Sequence, residues 1–278
     1  MFMNKEILRL AIPNILSNIS IPLLSSVDTA LMGRLSPEHI GAVGLGSMIF
    51  NFIYWNFGFL RMGTTGMTAQ AFGAEDHLGI SNTLARALLV ALVLAGVIML
   101  FQVPFGEAGF YLMNTRIEQQ SLIREYFYIR IWAAPATLAL FAFFGWFFGM
   151  QNAIFPLLLT LLINLVNMAL SYFLVREMNW GVAGVAWGTV VAQYVGLLGA
   201  IFLFLAKYRA YLKKLKRETI LKVGEFRRFL TINRDIFIRT ICLTFSFGFF
   251  YSQSAAEGTL ILAVNVILMQ FVNWMSYA

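Results

Sequence analysis

The sequence predicts an all-α bundle of membrane-crossing helices, and three observations lead there. Apolar side chains make up 60% of the 278 residues and charged ones only 12%, against roughly 45–50% and about 25% in soluble domains. Charge-free runs cover residues 10–27, 40–60, 87–106, 131–175, 178–206, 240–256 and 258–278, and a helix needs about 20 apolar residues to cross a hydrocarbon core of roughly 30 Å. These runs are apolar on nearly every face, whereas a membrane strand alternates in polarity over about 10 residues, so helices that satisfy their own backbone groups are the remaining choice.

Each run then accounts for one or two helices. The first, 10–27, is long, is followed directly by Asp28 and shows no small-residue cleavage pattern after it, so a retained helix is expected and not a signal peptide. The runs at 40–60 and 87–106 supply the second and third. The stretch 131–175 holds two helices, because Gln151-Asn152 followed by Pro156 puts amide side chains and a helix-starting proline where a tight antiparallel turn belongs. Residues 178–206 form the sixth, and 240–256 and 258–278 the seventh and eighth. About eight crossings are expected.

Orientation follows from the basic residues, which concentrate in short cytoplasmic loops. Ten of the twenty Lys and Arg fall between Lys207 and Arg234. This segment is therefore expected on the cytoplasmic side, and with it the amino terminus bearing Lys5 and Arg9. Such a segment is an amphipathic linker against anionic headgroups; a nucleic-acid surface would need basic residues spread over a folded face with base-reading partners, and none is expected. The linker divides the chain into a first six-helix lobe at 1–206, the linker at 207–234, and an incomplete second lobe at 235–278. Beyond it the sequence weakly echoes its beginning, with Asn14, Glu38, Phe52 and Trp55 matched at one offset by Asn233, Glu257, Phe271 and Trp274. Repeated halves are characteristic of secondary transporters, and the end at Ala278 inside the eighth run reads as a truncation.

Polar groups in the apolar runs are the candidate functional residues, since a charge within a membrane bundle is costly. Asp28 stands first. At 100° per residue Asn14, Ser17 and Asp28 share one face of helix one, and Pro22 frees a backbone carbonyl there. The alternative is an Asp28 near the headgroups paired with Arg34; the functional reading is favoured. On helix five Thr160, Asn164, Asn167 and Ser171 form one continuous stripe at i, i+4, i+7 and i+11, suited either to cavity lining or to interhelical hydrogen bonds of about 0.6–2 kcal/mol each. Helix six adds Thr189 and Gln193, with Gly181, Gly184 and Gly188 read as close-packing positions. Arg61 is expected to snorkel or pair structurally. One cysteine, Cys242, excludes an internal disulfide, and His39 and His77 stand apart, so no metal site is expected. An enzyme would need clustered His and carboxylates or a nucleophile with a base, and a pore would need charged rings or a filter sequence; neither pattern is present.

The segments LRLAIPNILSNISIPLLSSVDTALMGRL, IGAVGLGSMIFNFIYWNFGFLRMGTTGMTAQAFGAED and NWGVAGVAWGTVVAQYVG resemble the multidrug and toxic compound extrusion (MATE) transporters, most closely their DinF-like branch. The resemblance covers the whole chain. It implies twelve helices in two six-helix lobes, of which about eight are present here, in a bacterial inner membrane and as a monomer surrounded by lipid. It also implies a cation or proton site in the first lobe, built from an acid on helix one, an Asn and an acid one turn apart on helix five, and a Thr on helix six. The matching positions are Asp28, Asn167, Ser171 and Thr189, with Asn14, Ser17, Asn164, Thr160 and Gln193 as further cavity lining.

One position departs from the pattern: Ser171 stands where many relatives carry Asp. The lost carboxylate weakens the case for sodium, because hard cations want several oxygen ligands and charge balance, so a proton is favoured as the coupling ion. The function this implies is antiport of small amphiphilic or cationic compounds, with no cofactor. A lipid or lipid-linked saccharide flippase is the alternative; such relatives carry several basic residues in the cavity, and here only Arg61 and Arg130 lie deep.

Overall fold

The computed structural model describes residues 12, 13, 15, 37–112, 117–215, 217–257, 264, 265 and 268. Its helices are α1 (Pro37–Phe57), α2 (Phe59–Gly73), α3 (His77–Leu100), α4 (Gln102–Leu112), α5 (Ile117–Arg130), α6 (Ala134–Gly149), α7 (Ile154–Arg176), α8 (Gly181–Tyr208), α9 (Arg217–Ile220) and α10 (Val223–Ala256). No strand occurs among the described residues.

Among the described residues, five stretches are long and apolar enough to cross a membrane: Gly41–Gly73, His77–Leu100, Gln120–Gly149, Ile154–Arg176 and Gly181–Lys213. They correspond to the second to sixth expected crossings. The first and eighth, 10–27 and 258–278, lie largely outside the described residues, and 240–256 falls in α10. Several helices extend past the charge-free runs. The third begins at His77 and not near residue 87, because Arg86 is a buried helical residue whose donors find carbonyl partners. Likewise α10 begins at Val223, inside the stretch read as linker, since amphipathic residues near a docking surface sustain a helix that a charge count hides.

Local sequence explains the breaks. The α1–α2 helix is interrupted at Gly58, whose N–H turns back to the Trp55 carbonyl at 3.2 Å. Pro135 stands in the first turn of α6 after a 3-10 turn at Ile131–Ala133, the position where a missing N–H costs no hydrogen bond. The expected reversal between α6 and α7 is present: the Asn152 N–H reaches the Phe147 carbonyl at 2.9 Å, and the Asn152 amide nitrogen donates to the Tyr208 hydroxyl at 3.1 Å.

In lipid, apolar burial adds little between helices and close fit does the work. On α3, Ala87, Ala91 and Ala95 recur every fourth residue and are buried, letting α6 lie close. One apolar cluster gathers Phe50, Tyr126, Phe127, Ile131 and Leu138. A second, at the other end of the bundle, centres on Trp146, Phe147, Phe204 and Tyr208, with the Trp146 and Tyr208 rings edge to face at 4.9 Å.

Candidate functional site

The polar stripe of α7 faces the protein. Thr160, Asn164, Asn167 and Ser171 are all buried, the last two at 1% and 0% exposure, while Leu158, Leu161, Leu165, Tyr172 and Phe173 point outward. What they face is α8, packed antiparallel in a register that glycines permit. A Cβ on Gly184 would meet Val175, one on Gly196 would meet Ile163, and one on Gly188 would lie 2.5 Å from Ser171 Oγ. Gly184 and Gly188 are thus packing positions as expected. Gly181 differs: its φ of +54° makes it a turn residue after Asn179, a backbone conformation that glycine adopts freely.

This register brings Asn167, Ser171 and Thr189 together. The Asn167 Nδ2 donates to Thr189 Oγ1 at 2.9 Å, and that hydroxyl donates in turn to the Val185 carbonyl at 3.0 Å. Two buried oxygens remain without a partner, Asn167 Oδ1 and Ser171 Oγ. Leaving such a group unsatisfied costs about 1–3 kcal/mol, so the pair is a ready acceptor site for a donor or a small cation. Thr160 Oγ1 donates to the Pro156 carbonyl at 2.8 Å, and Asn164 continues the buried stripe. Gln193, one turn beyond Thr189, is half-buried. Asp28, Asn14 and Ser17 lie outside the described residues, as does Arg34.

Charge elsewhere in the bundle was only partly legible. Arg61 is half-buried and takes part in none of the three ion pairs among the described residues. Arg130 is more elaborately held. Its Nη1 donates to the Tyr126 hydroxyl at 3.0 Å, its guanidinium lies over the Phe50 ring at 5.2 Å, and its Nε is buried without a partner. Tyr126 also shares a hydrogen bond of 2.9 Å with Ser47 of α1. No sequence spacing pairs Ser47 with Tyr126, so this cluster emerges from packing alone.

A separate apolar cavity of about 950 Å³ opens between α1, α3, α4 and α10. Phe52, Ile53, Phe105, Phe237 and Phe245 dominate its wall, and Asn56 and Thr244 are its polar side chains.

The family model described as MatE matches residues 13–173. The DNA damage-inducible protein F of Escherichia coli (strain K12) is 36% identical over 278 residues, covering 99% of this chain and 60% of that protein. The probable multidrug resistance protein NorM of Thermotoga maritima is 25% identical over 69% of this chain and 42% of its own length. The chain therefore spans about half the length of these curated relatives. Among solved structures, a MATE protein in the bent conformation superposes with a TM-score of 0.83 at 23% identity, over 95% of this chain and 59% of that one.

Proposed function

Since the chain belongs to the MatE family of transporters and not to any enzyme class, we propose that the protein exports small amphiphilic or cationic compounds in exchange for protons. The reading rests on one observation: the α7–α8 interface holds Asn167 against Thr189 and leaves Asn167 Oδ1 and Ser171 Oγ buried and unpaired. Asp28 is the titrating group of this reading, with Asn167, Ser171 and Thr189 as its hydrogen-bonding neighbours and Asn14, Ser17, Thr160, Asn164 and Gln193 as lining. The apolar cavity supports an amphiphilic cargo, because drug-sized ligands bury most of their surface against hydrophobic walls. The protein works as a monomer in the bacterial inner membrane with its amino terminus in the cytoplasm.

Cargo and proton compete, and protonation of Asp28 favours the state that releases cargo outside. A potential of 100 mV adds about 2.3 kcal/mol per charge moved, a magnitude that biases a two-state carrier. A proton is preferred to sodium because Ser171 brings no second carboxylate to the pair.

Arg130 favours a second reading, a flippase for lipids or lipid-linked saccharides. Its buried Nε lacks a partner and suits an anionic group in the cargo. Efflux of a fluorescent cation from vesicles under an imposed proton or sodium gradient separates the two. Proton-driven efflux that disappears in Asp28→Asn is the expected result. Proton-driven efflux intact in Asp28→Asn removes Asp28 from its role, and no efflux under either gradient transfers the assignment to the flippase.

A further inference from the structure

The apolar cavity between α1, α3, α4 and α10 has a fixed wall. On α10, Phe229 is fully buried and Asn233 is 2% exposed, set against Gly63 of α2, where a Cβ would lie 2.5 Å from Asn233 Oδ1. One turn on, Phe237 meets Phe59 edge to face at 5.4 Å and is the first α10 residue to line the cavity. Ile241 and Thr244 follow it at i+4 and i+7 on the same face. The docking that holds α10 therefore also sets where Thr244 stands.

Two features of the lining restrict what fits. Among the described residues no Asp, Glu, Lys or Arg lines the cavity, and six of the lining residues are phenylalanines, whose ring faces attract a cation without a counter-charge. The polar side chains, Asn56 of α1 and Thr244 of α10, each spend a donor on their own helix: Asn56 Nδ2 on the Phe52 carbonyl at 2.8 Å, and Thr244 Oγ1 on the Thr240 carbonyl at 2.9 Å. A hydroxyl carries one proton and an amide oxygen none, so a ligand is offered two oxygen acceptors against a single amide N–H.

We propose that Asn56 and Thr244 are the specificity-determining pair of this cavity, selecting aromatic cations that carry N–H groups over aromatic cations that carry none. The proposal deepens the transport reading above and rests on it. The phenylalanine faces hold the ring system and its charge, and the two oxygens accept N–H groups that would otherwise lose water without gaining a partner. A site that bonds a cargo N–H discriminates against the analogue without it more strongly than an apolar wall can. Because α10 is docked before cargo arrives, little ordering of the wall opposes binding.

Two probes test this in the full-length protein: ethidium, an aromatic cation with primary amino groups, and tetraphenylphosphonium, an aromatic cation with no N–H. Equilibrium binding in detergent, without any gradient, reads the Kd of each. Asn56→Leu and Thr244→Val are each expected to raise the ethidium Kd about threefold to tenfold relative to that of tetraphenylphosphonium, and the double change about tenfold or more. Thr244→Ser keeps the oxygen and should keep the wild-type ratio. Ala108→Trp, which fills the cavity from α4, should remove binding of both probes. An unchanged ratio in the double variant overturns the proposal, as does equal weakening of both probes, the mark of a packing role. Binding that survives Ala108→Trp overturns it as well, since cargo then sits elsewhere. Should the double variant fail to fold, either single change gives the same ratio. Proton-driven efflux with an unchanged ratio removes this pair and leaves the transport reading standing; the expected ratio with no efflux under any gradient keeps the pair as a binding site and sinks the transport reading.

Discussion

In α2–α6, Gly145 and Gly149 of α6 receive Thr64 and Thr68 of α2; in α7–α8, Gly184 and Gly188 of α8 receive Val175 and Ser171 of α7. Both pairs place small residues four apart on one helix, the spacing that lets backbones approach closely in lipid. Both also leave buried hydroxyls unpartnered, at Thr64, Thr68 and Ser171. The difference lies along the helix. On α2 the threonines are followed by no buried amide, whereas on α7 the hydroxyl of Ser171 continues into Asn167 and Asn164, and Asn167 crosses to Thr189. An orphaned hydroxyl over a glycine is therefore a packing feature, and an amide stripe beside it marks the site.

The largest effect expected is at the glycines. A Cβ on Gly149 would lie 2.8 Å from the Thr65 backbone oxygen and 2.5 Å from Thr68 Cβ, contacts that no rotamer change relieves. Gly149→Leu should abolish recovery of monodisperse protein in detergent, because overpacking costs about 1–3 kcal/mol or more. Normal recovery would show that α2 and α6 can separate freely. Next comes Asn167→Leu, which should lower proton-coupled efflux about tenfold or more, equivalent to at least about 1.4 kcal/mol of coupling, with a fall in melting temperature no larger than that expected for loss of its hydrogen bond to Thr189. Equal losses of efflux and stability would make Asn167 a packing residue like Thr64.

A finer distinction is available at Ser171. Introducing a carboxylate with Ser171→Asp adds charge to the Asn167 and Thr189 oxygens, and sodium-driven efflux should rise above that of the wild type. Sodium dependence unaltered by this change would separate the stripe from ion coupling. Thr189→Val removes the Asn167 acceptor and should cost about 0.6–1.7 kcal/mol of stability, the range of hydrogen bonds between membrane helices, read as a lower thermal midpoint. Smallest of all, Thr64→Val should leave efflux unchanged within about twofold, since a methyl replaces a hydroxyl that has no partner. A large efflux loss there would erase the distinction between the two interfaces.

The legibility of the sequence varied in the same way between regions. The α7 stripe was readable because a helix repeats every 3.6 residues, and any polar face in lipid must turn inward. The α6–α7 reversal was readable from Gln151, Asn152 and Pro156 for an equally local reason. Arg86 was not, since a count of charges treats every arginine as an end to a membrane run. Its place inside α3 depends on Thr219 and Ile220, more than a hundred residues later in the chain. The cluster of Ser47, Tyr126 and Arg130 escaped for the same reason.

Local chemistry thus determined the helical class, the second to sixth crossings and the face on which Thr160, Asn164, Asn167 and Ser171 lie. Each of these follows from backbone groups that must pair within a helix and from side chains repeating along it. The partners were decided only by the tertiary structure. That Asn167 meets Thr189 while Ser171 Oγ stays unpaired over Gly188, and that Arg86 ends at the carbonyls of α9, depends on the register between helices. Register is set by where small residues let two backbones approach, which is a property of pairs of helices and not of either one.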